Sequence, residues 1–215
     1  FTRTGYTFDG WSLNANGSGT RYADKASVLN LTTGSSVTLY AQWKLNEYSV
    51  SYEKNKPAAT SNQVTGTMAN SSHTYSVAKN ISANQYALTG YTFNGWNTIA
   101  NGGGTAYANS ASVINLTTVN GATVPFYAQW LPHTYTVAYN CNGGKGTMDS
   151  SSHVYGTASA LSVNGCDKVG YKFVYWNTKA DGTGNRYTDK QKVSTLTSQD
   201  KGVVNLYAIY EPRDD

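Results

Sequence analysis

The sequence predicts a chain of small tandem repeats, α+β in class but predominantly β. Three observations predict this. An aromatic-rich motif returns three times along the 215 residues. The apolar residues inside each copy alternate with period two, the strand period, and not 3.6. Asn-Gly, Gly-Gly and Asp-Gly pairs punctuate the runs, as hairpin turns require. A fixed recurrence of this kind decides architecture before any single element does.

The elements follow in order within each copy. The motif reads Gly5-Tyr-Thr-Phe-Asp-Gly-Trp11, then Gly90-Tyr-Thr-Phe-Asn-Gly-Trp96, then Gly170-Tyr-Lys-Phe-Val-Tyr-Trp176. A polar Gly-rich stretch comes next, then Tyr22, Tyr107 or Tyr187, each eleven residues after its Trp. Val28, Val113 and Val193 follow, then Leu31, Leu116 and Leu196. Each copy ends on a strand: Leu39-Tyr-Ala-Gln-Trp43, Phe126-Tyr-Ala-Gln-Trp130 and Leu206-Tyr-Ala-Ile-Tyr210. On these strands Leu39, Ala41 and Trp43 share one face. Tyr40, and by equivalence Tyr127 and Tyr207, point to the other and are the candidate exposed binding aromatics.

Two copies carry an additional N-terminal half. Tyr48-Ser-Val-Ser-Tyr52 matches Tyr135-Thr-Val-Ala-Tyr139, Gly66-Thr-Met68 matches Gly146-Thr-Met148, and Ser72-His-Thr-Tyr75 matches Ser152-His-Val-Tyr155. The boundaries are therefore 1–46 (the C-terminal half of a repeat), 47–132 and 133–215. The middle copy has seven extra residues before Gly66. Helical content is confined to single turns near 24–29, 78–81 and 158–161. The spacing of Phe8 and Trp11 would place them on opposite faces of a regular strand, so a bulge at Gly10 or Gly95 is expected to re-aim one.

Composition excludes several classes. Charged residues are 13% of the chain, about half the usual ~25%. No apolar run approaches the ~18–20 residues of a membrane helix. With 18 Tyr, 5 Trp and 5 Phe, disorder is not expected. The net charge of +4 is spread over all three copies, which argues against nucleic-acid binding. The chain opens on Phe1 and inside a repeat, which reads as a processed product or an excised piece. Its open end is an expected sheet edge, able to dock on the next copy or to recruit a strand of another chain.

These residues resemble the Listeria–Bacteroides repeat, the B-repeat type of internalin-like surface proteins. The match runs over nearly the whole chain through Gly-Tyr-Thr-Phe-x-Gly-Trp, Gly-Thr-Met and Leu-Tyr-Ala-Gln-Trp. The third copy departs from the pattern at Val174-Tyr175 and Ile209-Tyr210. The resemblance implies β-grasp-like (ubiquitin-like) domains in an elongated array, on a secreted or cell-wall-anchored bacterial protein. It implies spacer or adhesive roles and no catalysis. The implied partner is a surface protein or glycan of a host or neighbouring cell.

Candidate sites are few. The Gly-rich stretches at 14–19 and 180–184 suggest calcium loops, but calcium takes 6–8 oxygen ligands and the copies share no second acidic residue there. Turns are the better reading. His73 and His153 each follow a Ser, but neighbours on a strand face opposite ways, so the adjacency is no catalytic dyad. They are expected to be polar strand residues. Neither a metal nor another cofactor is called for. Cys141 and Cys166 are either a disulfide closing a loop of 25 residues or two free thiols, and a secreted location favours the former. Lys190 and Lys192, with exposed aromatics, are the candidate contacts for an anionic glycan. Enzymatic function is not expected, because eight of the twelve acidic residues lie in one copy and no paired carboxylate recurs.

Overall fold

A computed structural model of the chain describes residues 1–214. Seventeen strands make up its regular structure. In chain order the half repeat holds β1 (Tyr6–Ser12), β2 (Arg21–Tyr22) and β3 (Tyr40–Leu45). The middle repeat holds β4 (Glu47–Glu53), β5 (Ser71–Thr74), β6 (Lys79–Asn80), β7 (Tyr91–Asn97), β8 (Ala106–Tyr107), β9 (Ser112–Val113) and β10 (Thr123–Pro132). The third holds β11 (Thr134–Asn140), β12 (Ser151–Val154), β13 (Ser159–Ala160), β14 (Tyr171–Asn177), β15 (Arg186–Tyr187), β16 (Lys192–Val193) and β17 (Gly202–Pro212).

The chain divides into two compact units. The first comprises 1–54, 67–85 and 95–128; the second comprises 55–66, 86–94 and the residues from 129 onward. Each unit therefore contains the junction between two successive repeats.

The α+β expectation is corrected: the fold is all-β, and no helix occurs among the described residues. Residues 79–80 and 159–160, where single helical turns are expected, are extended and pair with 112–113 and 192–193. A one-turn helix fixes several dihedrals for a single hydrogen bond, and Ser and Asn compete for backbone groups. A two-residue ladder onto an existing strand is the better solution here. At 24–29 the backbone turns through Lys25 at φ 57 and does not continue as a helix. The half repeat has no counterpart of β6, so 26–39 form no strand.

The third repeat shows the complete sheet, in the order β12-β11-β17-β14-β15. Its first and last long strands, β11 and β17, run parallel from Tyr135↔Gly202 to Asn140↔Tyr207. The other neighbours are antiparallel. The middle repeat has the same order, β5-β4-β10-β7-β8, with β4 parallel to β10. The half repeat keeps only the matching β2-β1-β3.

Alternation decides what is buried. In the third repeat Tyr135, Val137, Leu206 and Ala208 from the parallel pair meet Trp176, Leu161, Val193 and Cys166. Trp96 and Trp176 are 0% exposed. A bulge does re-aim the Trp: the β1–β3 register slips between Phe8 and Trp11, and the β14–β17 register slips between Phe173 and Tyr175. The slip brings Phe8 edge-on to Trp11 at 5.1 Å. At Gly95, φ is 90°, and a Cβ would sit 2.8 Å from the Tyr107 carbonyl oxygen. Glycine is the residue that this backbone conformation accepts without strain.

Candidate functional site at the repeat junctions

Each repeat meets its predecessor through one linker residue: Asn46 at the first junction and His133 at the second. At the first, Asn46 N donates to Gly5 O at 2.9 Å, and Asn46 O accepts from Tyr75 N at 2.8 Å. Its side chain accepts from Thr7 Oγ1 at 2.6 Å and donates through Nδ2 to Thr118 O at 2.7 Å. Thr7 belongs to the half repeat and Thr118 to the middle one. Both backbone groups and both ends of the amide are thus committed across the boundary.

The second junction repeats the pattern with a different side chain. His133 N donates to Gly90 O at 2.8 Å, and His133 O accepts from Tyr155 N at 2.9 Å. The ring bonds Thr92 Oγ1 through Nε2 at 2.9 Å and donates through Nδ1 to Ser198 O at 2.6 Å. Asn and His serve the same end because each offers two hydrogen-bonding atoms pointing apart.

A glycine and a tyrosine close each junction. Gly5 has φ 76° and Gly90 φ 80°. The Tyr75 ring lies so close over Gly5, and the Tyr155 ring over Gly90, that a Cβ at either glycine would overlap the ring. The neighbouring Tyr6 and Tyr91 meet those rings edge-on, at 6.2 and 5.9 Å. Burial beside Tyr155 raises the Tyr91 pKa above its ordinary value, first through desolvation and then through the neighbouring phenol.

The extra residues of the middle repeat belong to the second junction. Asn62 Nδ2 donates to Tyr155 Oη at 2.8 Å, and Lys56 holds the loop by donating to Thr60 O at 2.6 Å. Ala59 O lies 3.0 Å from where a Cβ on Gly156 would sit. Beside it a polar groove of about 490 Å³ is lined by Ala59, Thr60, Ser61, Asn62, Tyr155, Gly156, Ser194 and Thr195.

His73 and His153 are strand residues, as expected, in β5 and β12, and both are buried in the core, each 2% exposed. His73 stacks on Tyr48 at 5.5 Å and His153 on Tyr135 at 5.3 Å. Each Nε2 bonds the serine two positions earlier, on the same strand face: Ser71 at 2.8 Å and Ser151 at 2.7 Å. Those serines bond Tyr52 and Tyr139, whose hydroxyls accept from Ser82 N and Ser162 N. These chains of bonds tie the first hairpin to the crossover. Burial lowers both imidazole pKa values, and the Lys79 charge lowers that of His73 further.

The other candidates are scattered. Tyr40 is 42% exposed, whereas Tyr127 and Tyr207 are half-buried on the same strand face. Lys190, at φ 56°, is an exposed turn residue. Lys192 lines a shallow groove of about 390 Å³ with Tyr187 and Gln191. Cys141 and Cys166 are bonded to each other, with Cα atoms 5.4 Å apart. In the Gly-rich loops the Asx oxygens accept backbone protons: Asn16 from Ser18, Asn101 from Gly103 and Asp181 from Thr183. The Thr183 bonds lower the Asp181 pKa. Among the described residues no three His, Cys, Asp or Glu side chains cluster as metal ligands.

Sequence reasoning missed two sets of residues. Asn97 and Asn177 are buried and hold the Gly-rich loops from inside, each Oδ1 accepting two amides and each Nδ2 reaching two carbonyls. The other set is Asn46 and His133. Each stands three residues after the Trp that closes its strand, Trp43 or Trp130, so the repeat alignment marks the position although the residue type changes.

A tandem all-β repeat whose copies are tied through conserved geometry at one linker position defines the class of protein. The chain belongs to the Listeria-Bacteroides repeat domain family, whose pattern matches residues 1–42, 48–129 and 135–209. It is similar to two proteins of Evansella cellulosilytica. One is named “Putative Gly-rich membrane protein”, 33% identical over 81% of this chain and 19% of that protein. The other is named “Putative membrane protein”, 26% identical over 73% of this chain and 22% of that protein. The chain thus spans about a fifth of the length of the curated relatives it matches. No helix among the described residues is long and apolar enough to cross a membrane.

Proposed function

We propose that this chain is a non-catalytic spacer segment of a bacterial surface protein, holding whatever it carries at a set distance and angle from the cell. The observation that carries this reading is the repeated junction. A flexible tether leaves its linker solvated. Here Asn46 and His133 use backbone and side chain on both sides, and a tyrosine ring seals each boundary. Membership of the repeat family and the names of the relatives support an extracellular, membrane- or wall-attached parent. The strand order with parallel first and last strands supports a β-grasp-derived repeat in which extended segments stand where a helix would cross.

Nitrogen-15 relaxation tests the reading. Across each junction the amides are expected to share one rotational correlation time, those of 1–46 with 67–85 and those of 86–94 with 133–214. Separate, shorter times on the two sides of a junction would refute it.

Glycan binding is the second reading, favoured by Lys192 in its shallow groove beside Tyr187. Calorimetry with a sulfated oligosaccharide should then show binding that weakens with salt and is lost in Lys192→Ala. Self-association is the third, resting on β3, which ends its sheet where β10 and β17 continue to a parallel partner. Sedimentation at rising concentration checks it.

A further inference from the structure

The third repeat keeps the part of the junction that faces onward. Gly170 occupies the position of Gly5 and Gly90, with φ 79° against 76° and 80°. Its carbonyl accepts from Arg213 N at 3.0 Å, as Gly5 O accepts from Asn46 and Gly90 O from His133. The outer face differs. Apart from its two chain neighbours, no described residue comes within 4 Å of a Cβ position on Gly170, where Gly5 and Gly90 carry a tyrosine ring. Tyr171 is accordingly 37% exposed, whereas its counterpart Tyr91 is 7% exposed. A cation lies over the ring, Lys168 Nζ at 4.7 Å from Tyr171, as Arg3 lies 3.8 Å over Tyr6 at the first junction. A cation there therefore coexists with a docked tyrosine.

We propose that Gly170 and Tyr171 form a seat for the tyrosine-bearing hairpin of a further repeat of this family. The inference rests on the spacer reading above. The occupant follows from the molecule itself, because the same backbone seat is filled by the same side chain at both internal junctions. Another copy of this chain does not fit, since Tyr75 and Tyr155 already cover Gly5 and Gly90. The side-chain bridge is altered. Thr7 and Thr92 are replaced by Lys172, which pairs with Glu211 at 2.8 Å. Asn46 and His133 are replaced by Arg213, whose Nε donates to Tyr171 O at 2.9 Å. The seat thus offers ring packing without the two-sided clamp, and it holds the next repeat less tightly than the internal junctions do.

The test extends the full chain with a second copy of 47–132 placed directly after Arg213. A tyrosine ring facing a glycine shifts the Hα resonances upfield. Gly5 and Gly90 are the internal references in the same spectrum. The expected result is that Gly170 Hα moves upfield toward them in the extended chain, and returns when the incoming copy carries Tyr75→Ala. An unmoved Gly170 beside a folded appended repeat would overturn the proposal. So would a Gly170 signal that shifts with concentration in the unextended chain, which would make another copy the occupant. Unshifted Gly5 and Gly90 would instead overturn the junction reading itself.

Discussion

Substituting Gly90 by Ala separates ring contact from backbone strain, with Gly170→Ala as the control. Both residues sit near φ 80°. An L-side chain there costs roughly 1–2 kcal/mol at either site. Only at Gly90 does the new Cβ overlap the Tyr155 ring. Overpacking of a closed contact adds about 1–3 kcal/mol. Gly90→Ala should therefore cost about 2 kcal/mol more than Gly170→Ala. Removing the ring should erase the excess, so Gly90→Ala in a Tyr155→Ala background should cost what Gly170→Ala costs. The assay is native-state hydrogen exchange of core amides in β11 and β14, because a tandem array does not unfold in one step. Equal costs for the two alanines, within about 0.5 kcal/mol, would refute the idea that the ring closes the junction.

Three further outcomes are expected. Reducing the Cys141–Cys166 bond should destabilise the third repeat by about 3 kcal/mol and leave 1–46 untouched, by calorimetry with and without reductant. Stability should be full above the unfolded histidine pKa of ~6.5 and fall as pH drops below it, because the unfolded chain takes up protons that buried His73 and His153 resist. The slope should reach at most about 1.4 kcal/mol per pH unit for each imidazole, read from urea midpoints between pH 7.5 and 5. Asn177→Ala should cost roughly 1–3 kcal/mol and expose the amides of Lys179 and Gly184 to exchange, since both lose their acceptor inside the loop.

The sheet was legible because alternation and turn pairs are local signals. Tyr48, Val50 and Tyr52 announce a strand with one buried face, and the structure buries those three. The bulge at Gly10 was legible from an odd Phe–Trp spacing that a regular strand could not satisfy. The crossover was not. Segments such as 78–81 carry no period of their own, and what they become depends on a strand more than thirty residues later in sequence. The burial of the histidines was not legible for a related reason: the serine that His73 bonds is two residues back, and that serine's partner Tyr52 comes from another strand. The junction was invisible residue by residue, because Asn46 and His133 share a task and not a chemistry. Only the repeat alignment brings them to one position.

The parallel pairing of β11 with β17 has a mechanical meaning. Pulling a repeat by its two ends drags the first strand one way and the last strand the other, along their shared length. Parallel bonds are evenly spaced and slanted, so the load falls on the row from Tyr135↔Gly202 to Asn140↔Tyr207 together, and none can be peeled off first. A repeat joined to its neighbours through these strands resists tension in shear. A repeat pulled by its two ends would yield last along this row of bonds.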